Sequence, residues 1–195
     1  MGAHLVDSVV YGHLWSTPEL HARFDDRGRL QLWLDILAAL AEAEAEVGLV
    51  PEEAAAAIRA HARIDLLDLE RVAAETRAAS HSTLGLIRCL QEVLPPDARE
   101  WVYHGATVQD VSDTWAALMM REMSGVLHRD LRHLEGACLA LARTHRDTPI
   151  CGRTHGQPGL PTTFGFKAAV WASGFPTSPG SPPGMGWPST SCSSP

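Results

Sequence analysis

The stretch from about Thr107 to Arg146 has the pattern of one continuous helix, and its length limits the possible folds. Apolar residues recur in it at spacings of 4, 3, 4 and 3, as in a coiled-coil seam: Leu127, Leu131, Leu134, Cys138 and Leu141. A helix of roughly forty residues is about 60 Å long at 1.5 Å per residue. We therefore predict a bundle of long helices shared between chains. The alternative is two shorter helices with a break near Ser124–Gly125.

Shorter helices are predicted before this segment, because cap residues and glycine or proline breaks divide the chain. The predicted spans are a helix that starts at Ser16–Thr17–Pro18, one that Asp25 or Asp26 caps and that ends near Val47, then 51–62, 65–78 and 82–94, and a short turn at 97–102. No run has sustained strand alternation, so the predicted class is all-α. We expect an N-terminal helical domain (1–104) and the beginning of a central helical-bundle domain (105–173), which would be incomplete.

Residues 174–195 differ from the rest, because they contain no charged residue and consist mostly of Gly, Pro, Ser and Thr. Such a composition cannot bury a core and predicts a disordered tail. One interpretation is a natural flexible tail. The interpretation we favour is out-of-frame translation after about Ser173, which would make the chain a fragment of a longer protein.

Charge and cysteine content exclude several classes of protein. The formal net charge is −7 and no block of Lys or Arg occurs, which argues against nucleic acid as a partner. The four cysteines form no CxxC pair, which favours reduced thiols in a cytoplasmic protein. The N-terminus does not have the pattern of a signal peptide, and no apolar stretch reaches the length that spans a membrane.

The most unusual local composition lies at 149–165, where glycines and prolines surround polar side chains. These side chains are Arg153, Thr154, His155 and Gln157. The run predicts a stiff, turn-rich loop, after which Thr162–Thr163 caps a new helix. The alternative is a solvated connection between helices, with Arg153 only bracing the loop. Otherwise Arg153 could hold a substrate carboxylate in a bidentate contact.

Three histidines are candidates for proton transfer, because imidazole exchanges a proton near neutral pH. His81 lies at the start of a predicted helix, where a structural cap is the alternative role. His104 precedes Thr107, the predicted cap of the long helix, whose N-terminus suits a carboxylate or phosphate oxygen. A purely structural role is the alternative for His104. His155 lies in the glycine–proline segment and is the strongest candidate of the three.

Other chemistries lack their motifs in this sequence. It contains no HExxH, no cysteine–histidine zinc spacing, no Walker-type loop and no GxGxxG after a strand. We therefore expect neither a metal nor a cofactor.

Two segments resemble signatures of the aspartase/fumarase superfamily, and most closely those of adenylosuccinate lyases. The segment 104–114, HGATVQDVSDT, is similar to the first signature, with Val108 where serine is usual. The segments 152–158, GRTHGQP, and 161–167, PTTFGFK, are similar to the second. The resemblance covers residues 11–173.

The resemblance implies elimination of a nitrogen or oxygen group from a small dicarboxylate-containing substrate, with release of fumarate. The leading hypothesis is an adenylosuccinate-lyase-like carbon–nitrogen lyase. It implies His155 and His81 as catalytic residues, and His155 as the general acid for the leaving nitrogen. His81 would also bind or orient the substrate. The implied substrate-binding residues are His104, Thr107, Gln109, Arg153, Thr154 and Gln157. It further implies a homotetramer whose sites each draw on three chains.

The sequence also departs from the family pattern. The serine-rich loop with a Met-Pro-x-Lys core, which carries the general base, is absent, so we expect the chain to be inactive alone. Leu14–Trp15 replaces an Arg-Tyr pair, and Ser82 replaces an Asp. A carboxymuconate cycloisomerase-like enzyme is an alternative, although those relatives tend to carry Trp in place of His155. A non-catalytic helical fragment is another alternative.

Overall fold

Helices form most of the chain over residues 4–175, which are the residues that the computed structural model describes. The α-helices are α1 (Pro18–Phe24), α2 (Asp26–Glu46), α3 (Glu52–His61), α4 (Leu69–Ala79), α5 (Leu84–Val93), α6 (Val108–Thr144) and α7 (Phe164–Ser173). Short 3₁₀ turns lie at Leu5–Asp7, Gly12–Leu14, Ile64–Leu66 and Pro96–Trp101. None of the helices described is both long and apolar enough to cross a membrane.

The chain divides into two compact units, Met1–Met120 and Arg121–Pro195. This division falls inside α6, whereas the predicted domain boundary lies before that helix, and the boundary near residue 104 stays a prediction. The predicted tail lies outside the described residues, apart from Gly174 and Phe175. Gly174 ends α7 by donating its backbone N–H to the carbonyl of Trp171.

Local capping explains where the first helices begin. The Thr17 hydroxyl accepts from the Leu20 amide at 3.3 Å, with Pro18 in the first turn. Asp25, rather than Asp26, caps α2, since its carboxylate accepts from the Gly28 amide at 2.7 Å. Each contact satisfies a backbone N–H group that has no partner inside the helix.

The hydrophobic core of the first unit lies among α2, α3 and α5. Its most deeply buried side chains come from these helices and the residues around them: Leu34, Leu37, Ile58, Leu86, Leu90, Leu94 and Val111. Burial of each large aliphatic side chain contributes about 1.5–3 kcal/mol. The sequence predicts one apolar face of α2 from the spacing of Leu30, Trp33, Leu34, Leu37, Leu40 and Ala41. Trp33, Leu34, Leu37 and Ala41 are buried, whereas Leu30 and Leu40 are half-buried.

Helix α6 is continuous over 37 residues, so the predicted long helix is confirmed and the break near Ser124–Gly125 is wrong. At 1.5 Å per residue its length is about 56 Å. Along the predicted seam Cys138 is buried, whereas Leu127 is 56% exposed and Leu134 is 50% exposed. The seam therefore presents an apolar stripe to solvent within the described part of the chain.

The predicted loop at 149–163 is instead a β-hairpin. Strand β1 (Pro149–Thr154) pairs antiparallel with β2 (Gln157–Thr163), and the register shifts between Cys151 and Arg153. Both strands contain proline and glycine, so their sequences do not show the alternation of apolar and polar residues from which strands are predicted. Thr163 then caps α7, accepting from the Phe166 amide at 3.1 Å, as the sequence predicts.

We predict that Gly85→Ala destabilises the first unit, because a Cβ atom there would lie 2.6 Å from the Thr76 backbone nitrogen. Overpacking of this kind costs about 1–3 kcal/mol. Gly125→Ala on α6 is the matched control, since no atom lies within 4 Å of the added Cβ. Urea unfolding followed by circular dichroism should show a lower free energy of unfolding for Gly85→Ala alone. Equal effects of the two substitutions would contradict the close contact between α4 and α5.

Candidate active site

His81 lies in the connection between α4 and α5, and its ring caps α5. Ser80 ends α4 with a left-handed backbone, φ 50°. The His81 Nδ1 atom accepts from the Leu84 amide at 3.3 Å and from the Thr83 amide at 3.4 Å. Because Nδ1 accepts, the ring proton resides on Nε2. His81 therefore has the structural role of a helix cap. Its exposed ring still offers an N–H donor.

His104 lies in a tight turn just before α6, between two residues with positive φ, Tyr103 and Gly105. Its Nδ1 atom is 3.4 Å from the Glu44 Oε1 atom on α2, and its ring centroid is 5.5 Å from that of Trp101. The His104 side chain is 45% exposed, whereas the Glu44 side chain is only 13% exposed. The His104 ring is therefore held from one side while part of it faces solvent.

Thr107 directly precedes α6, and Asp110 binds it. The Thr107 amide and hydroxyl both donate to the Asp110 Oδ2 atom, at 2.7 and 3.0 Å. The predicted cap at Thr107 is thus mediated by the carboxylate three residues later, as in half of a capping box. These two hydrogen bonds hold the pKa of Asp110 below its ordinary value. A carboxylate of the chain itself thus lies at this helix end, where binding of a substrate anion stays a prediction.

Gln109 is also engaged with an acidic residue of α6. Its side-chain amide donates to the Asp113 carboxylate at 2.5 Å. Both Thr107 and Gln109 are exposed, so a ligand that displaces the two carboxylates could reach them.

The hairpin gathers the other predicted site residues within five positions of the sequence. His155 and Gly156 form its two-residue turn with φ 44° and 72°, the backbone that a type I′ turn requires. Thr154 pairs with Gln157 beside the turn, and Arg153 pairs with Pro158. Within residues 4–175 the side chains of Arg153, His155 and Gln157 form no hydrogen bond, and all are exposed.

The base of the hairpin is fixed to the end of α6 within the second unit. The Phe164 amide donates to the Thr148 carbonyl and the Gly165 amide to the His145 carbonyl, both at 2.9 Å. A Cβ atom at Gly165 would lie 2.6 Å from the Ala142 carbonyl oxygen, so only glycine fits this close approach. The Phe164 ring also packs edge-on against His145, at 5.2 Å.

The predicted residues therefore fall into two groups, one in each unit. His81, His104, Thr107 and Gln109 belong to the first, and Arg153, Thr154, His155 and Gln157 belong to the second. No group of three or more potential metal ligands occurs among the residues that the structure describes.

The first unit also contains a cavity of about 770 Å³ beside the His104 segment. Apolar side chains of α2 and α6 form much of its wall, including Leu32, Ile36, Leu40, Val111 and Leu118. Glu44, Arg59 and Asp110 add charge to this wall.

Two residues of this region were not predicted from the sequence. Asp110 could have been found, since Thr-x-x-Asp is a capping pattern. Glu44 could not, because 60 positions separate it from His104.

Comparison with known proteins identifies the family. A family model described as a lyase matches residues 15–177, most of the chain and both signature segments. The chain belongs to the fumarase/aspartase superfamily.

Several characterised superfamily members are similar to this chain. N-acetyl-S-(2-succino)cysteine lyase of Dickeya dadantii is 38% identical over 90% of the chain. Adenylosuccinate lyase of Methanothermobacter thermautotrophicus is 42% identical over 81% of it. The crystal structure of 3-carboxy-cis,cis-muconate lactonizing enzyme from Pseudomonas putida matches 86% of the chain with a TM-score of 0.81 and 36% identity.

The match covers only part of each superfamily relative. The chain spans 38% of the Dickeya enzyme, 35% of the Methanothermobacter enzyme and 39% of the Pseudomonas structure. The residues described above thus correspond to a limited part of any whole superfamily protein.

We predict that the Thr107 amide resonance titrates with Asp110, with a midpoint below the ordinary carboxyl pKa of 3.8. The contact has its full strength above the unfolded-state pKa and is lost as the pH falls through the lower folded-state value. An NMR titration of the ¹⁵N-labelled chain measures this midpoint. Asp110→Asn should abolish the transition, and Asp113→Asn should leave it in place. A midpoint at or above 3.8 would disprove the cap at Asp110.

Proposed function

We propose that this chain supplies the general-acid part of a carbon–nitrogen lyase site that releases fumarate by β-elimination, as in adenylosuccinate lyases. His155 is the proposed acid. The main support for this proposal is its position in the two-residue turn of the hairpin. A histidine with φ 44° occupies a position that glycine would accept with less strain. A left-handed conformation of a residue other than glycine costs about 1–2 kcal/mol. Such strain is concentrated at functional sites.

The proposed reaction assigns one proton transfer to His155. A base removes a proton from the carbon beside a substrate carboxylate, and the carbon–nitrogen bond breaks as the double bond of fumarate forms. His155 donates a proton to the leaving nitrogen. The base belongs, by resemblance, to the Met-Pro-x-Lys loop that this sequence lacks, so we propose that the chain does not turn over substrate alone. His81 is the second proposed catalytic residue.

We also propose that polar side chains close to the three histidines in the sequence bind the substrate. The exposed Arg153 guanidinium, two positions before His155, has the planar geometry to bind a carboxylate through two hydrogen bonds. Thr154 and Gln157 flank the same turn. His104, Thr107 and Gln109 of the first unit are also proposed as substrate-binding residues.

A homotetramer is also proposed, since the superfamily resemblance implies it and α6 has an exposed apolar stripe. Leu127, Leu131 and Leu134 along this stripe are all exposed. Sustained heptad spacing of this kind favours packing against other long helices.

A second candidate is the same elimination with sulfur as the leaving atom. It is favoured by the relative named N-acetyl-S-(2-succino)cysteine lyase, which matches 90% of the chain at 38% identity. The proposed acid serves either leaving atom, so the two candidates differ in substrate only. A cycloisomerase activity is less favoured, because those relatives tend to carry Trp where this chain has His155.

We predict that His155→Ala abolishes most turnover while substrate binding persists. The test uses a chimera in which residues 15–173 replace the matching segment of the Methanothermobacter adenylosuccinate lyase. Loss of general-acid catalysis lowers kcat by about 10²–10⁴-fold. Fumarate formation from adenylosuccinate and from N-acetyl-S-(2-succino)cysteine gives kcat and identifies the leaving atom.

His128→Ala, at an exposed histidine of α6, is the matched control and should retain the activity of the chimera. Substrate affinity that disappears together with turnover in His155→Ala would count against the general-acid role. A chimera that folds but acts on neither substrate would disprove the proposed function.

A further inference from the structure

We propose that Glu44 is a positioning residue for His104, which fixes the ring proton on Nδ1 and leaves Nε2 as a hydrogen-bond acceptor. His81 would then have the opposite tautomer, with its proton on Nε2. The meaning of this assignment for catalysis rests on the proposed function, whereas the tautomers themselves do not.

The first argument is the contact between the two side chains. The Glu44 Oε1 atom is 3.4 Å from the His104 Nδ1 atom, within reach of a long hydrogen bond. A carboxylate oxygen only accepts, so Nδ1 must donate. Within the described residues the His104 Nε2 atom has no hydrogen-bond partner, so its lone pair stays available to a ligand.

The second argument is the burial of the Glu44 carboxylate. Its side chain is 13% exposed, and its Oε2 atom is fully buried with no hydrogen-bond partner among the residues described. A buried carboxylate without partners is unfavourable, because burial removes its hydration. The His104 ring is the donor that the structure offers to this group, so the carboxylate and the Nδ1 proton stabilise each other.

The third argument is that both partners are held in place. The Leu49 and Val50 amides donate to the Glu44 carbonyl at 2.9 and 3.4 Å, which fixes the end of α2. A Cβ atom at position 105 would lie 3.3 Å from the Glu44 Oε1 atom, so Gly105 leaves room for the carboxylate beside His104. The Trp101 ring lies on the imidazole at 5.5 Å.

The neighbouring glutamates of α2 show that this arrangement belongs to Glu44. Glu42 forms a two-point contact with Arg59, with 2.7 Å between Arg59 Nε and Glu42 Oε1. This hydrogen bond holds the pKa of Glu42 below its ordinary value. Glu46 is exposed, and no hydrogen bond or ion pair joins it to a histidine among residues 4–175. Glu46 therefore serves as the matched control.

Opposite tautomers would give the two histidines different ligand preferences. His81 presents an N–H donor, which suits a carboxylate oxygen of the substrate. His104 presents an acceptor, which suits a hydroxyl or N–H group. The first unit would thus bind a substrate that carries a donor group in addition to its carboxylates.

The test is a two-bond ¹H–¹⁵N NMR spectrum of the full-length labelled chain at about pH 9, where imidazoles with ordinary pKa values are neutral. His104→Gln and His81→Gln identify the ring signals by their loss. We expect the Nδ1–H form for His104 and the Nε2–H form for His81. An Nε2–H form, or a mixture of tautomers, at His104 in the unsubstituted chain would overturn the proposal.

Substitutions on α2 test the cause of the tautomer. In Glu44→Ala, His104 should change to the Nε2–H form that free imidazole favours, and Glu44→Gln should retain the Nδ1–H form through its amide oxygen. Glu46→Ala should leave the His104 spectrum unchanged. A His104 signal that is the same in Glu44→Ala as in the unsubstituted chain would also overturn the proposal.

Turnover then separates this proposal from the proposed function. In the active chimera, Glu44→Ala should lower kcat/KM about tenfold, the effect of losing one net hydrogen bond, and Glu44→Gln should restore most of it. Unchanged turnover in Glu44→Ala would show that Glu44 does not act as a positioning residue. An inactive chimera would disprove the proposed function alone, because the tautomers are measured without substrate.

Discussion

Backbone groups at the ends of α6 (Val108–Thr144) hold each signature segment in place within its own unit. In the first unit, Asp110 secures the beginning of the helix. In the second unit, Gly165 lets the hairpin base pack against the end of the helix. Both attachments use backbone groups that helix ends leave unpaired.

Carboxylates near the first signature accept hydrogen bonds from donors of the chain itself. Asp110 takes both donors of Thr107, and Glu44 lies against His104. The second signature has a different character, because Arg153, His155 and Gln157 are exposed on a hairpin whose base is held by backbone hydrogen bonds. The first group is positioned by neighbouring side chains, and the second by backbone pairing.

Much of the fold was predictable, because the decisive signals are local. Thr17, Asp25 and Thr163 cap the helices that their positions indicate, and the heptad spacing identifies the long helix. The hairpin was missed for a physical reason: its strands contain Pro158 and Pro161, and their pairing comes from backbone geometry rather than alternating burial. The contact of Glu44 with His104 joins separate elements, and no periodicity of a single sequence encodes it. The sequence identified the candidate residues of the motifs, but it did not identify the side chains that contact them.

The turn at His155–Gly156 contains two residues, which is the shortest common connection between antiparallel strands. Deletion of one residue there would shift the register by one, and side chains alternate between faces along a strand. Arg153 and Gln157 would then change faces relative to each other. This turn therefore tolerates some changes of side chain far better than the loss of a residue.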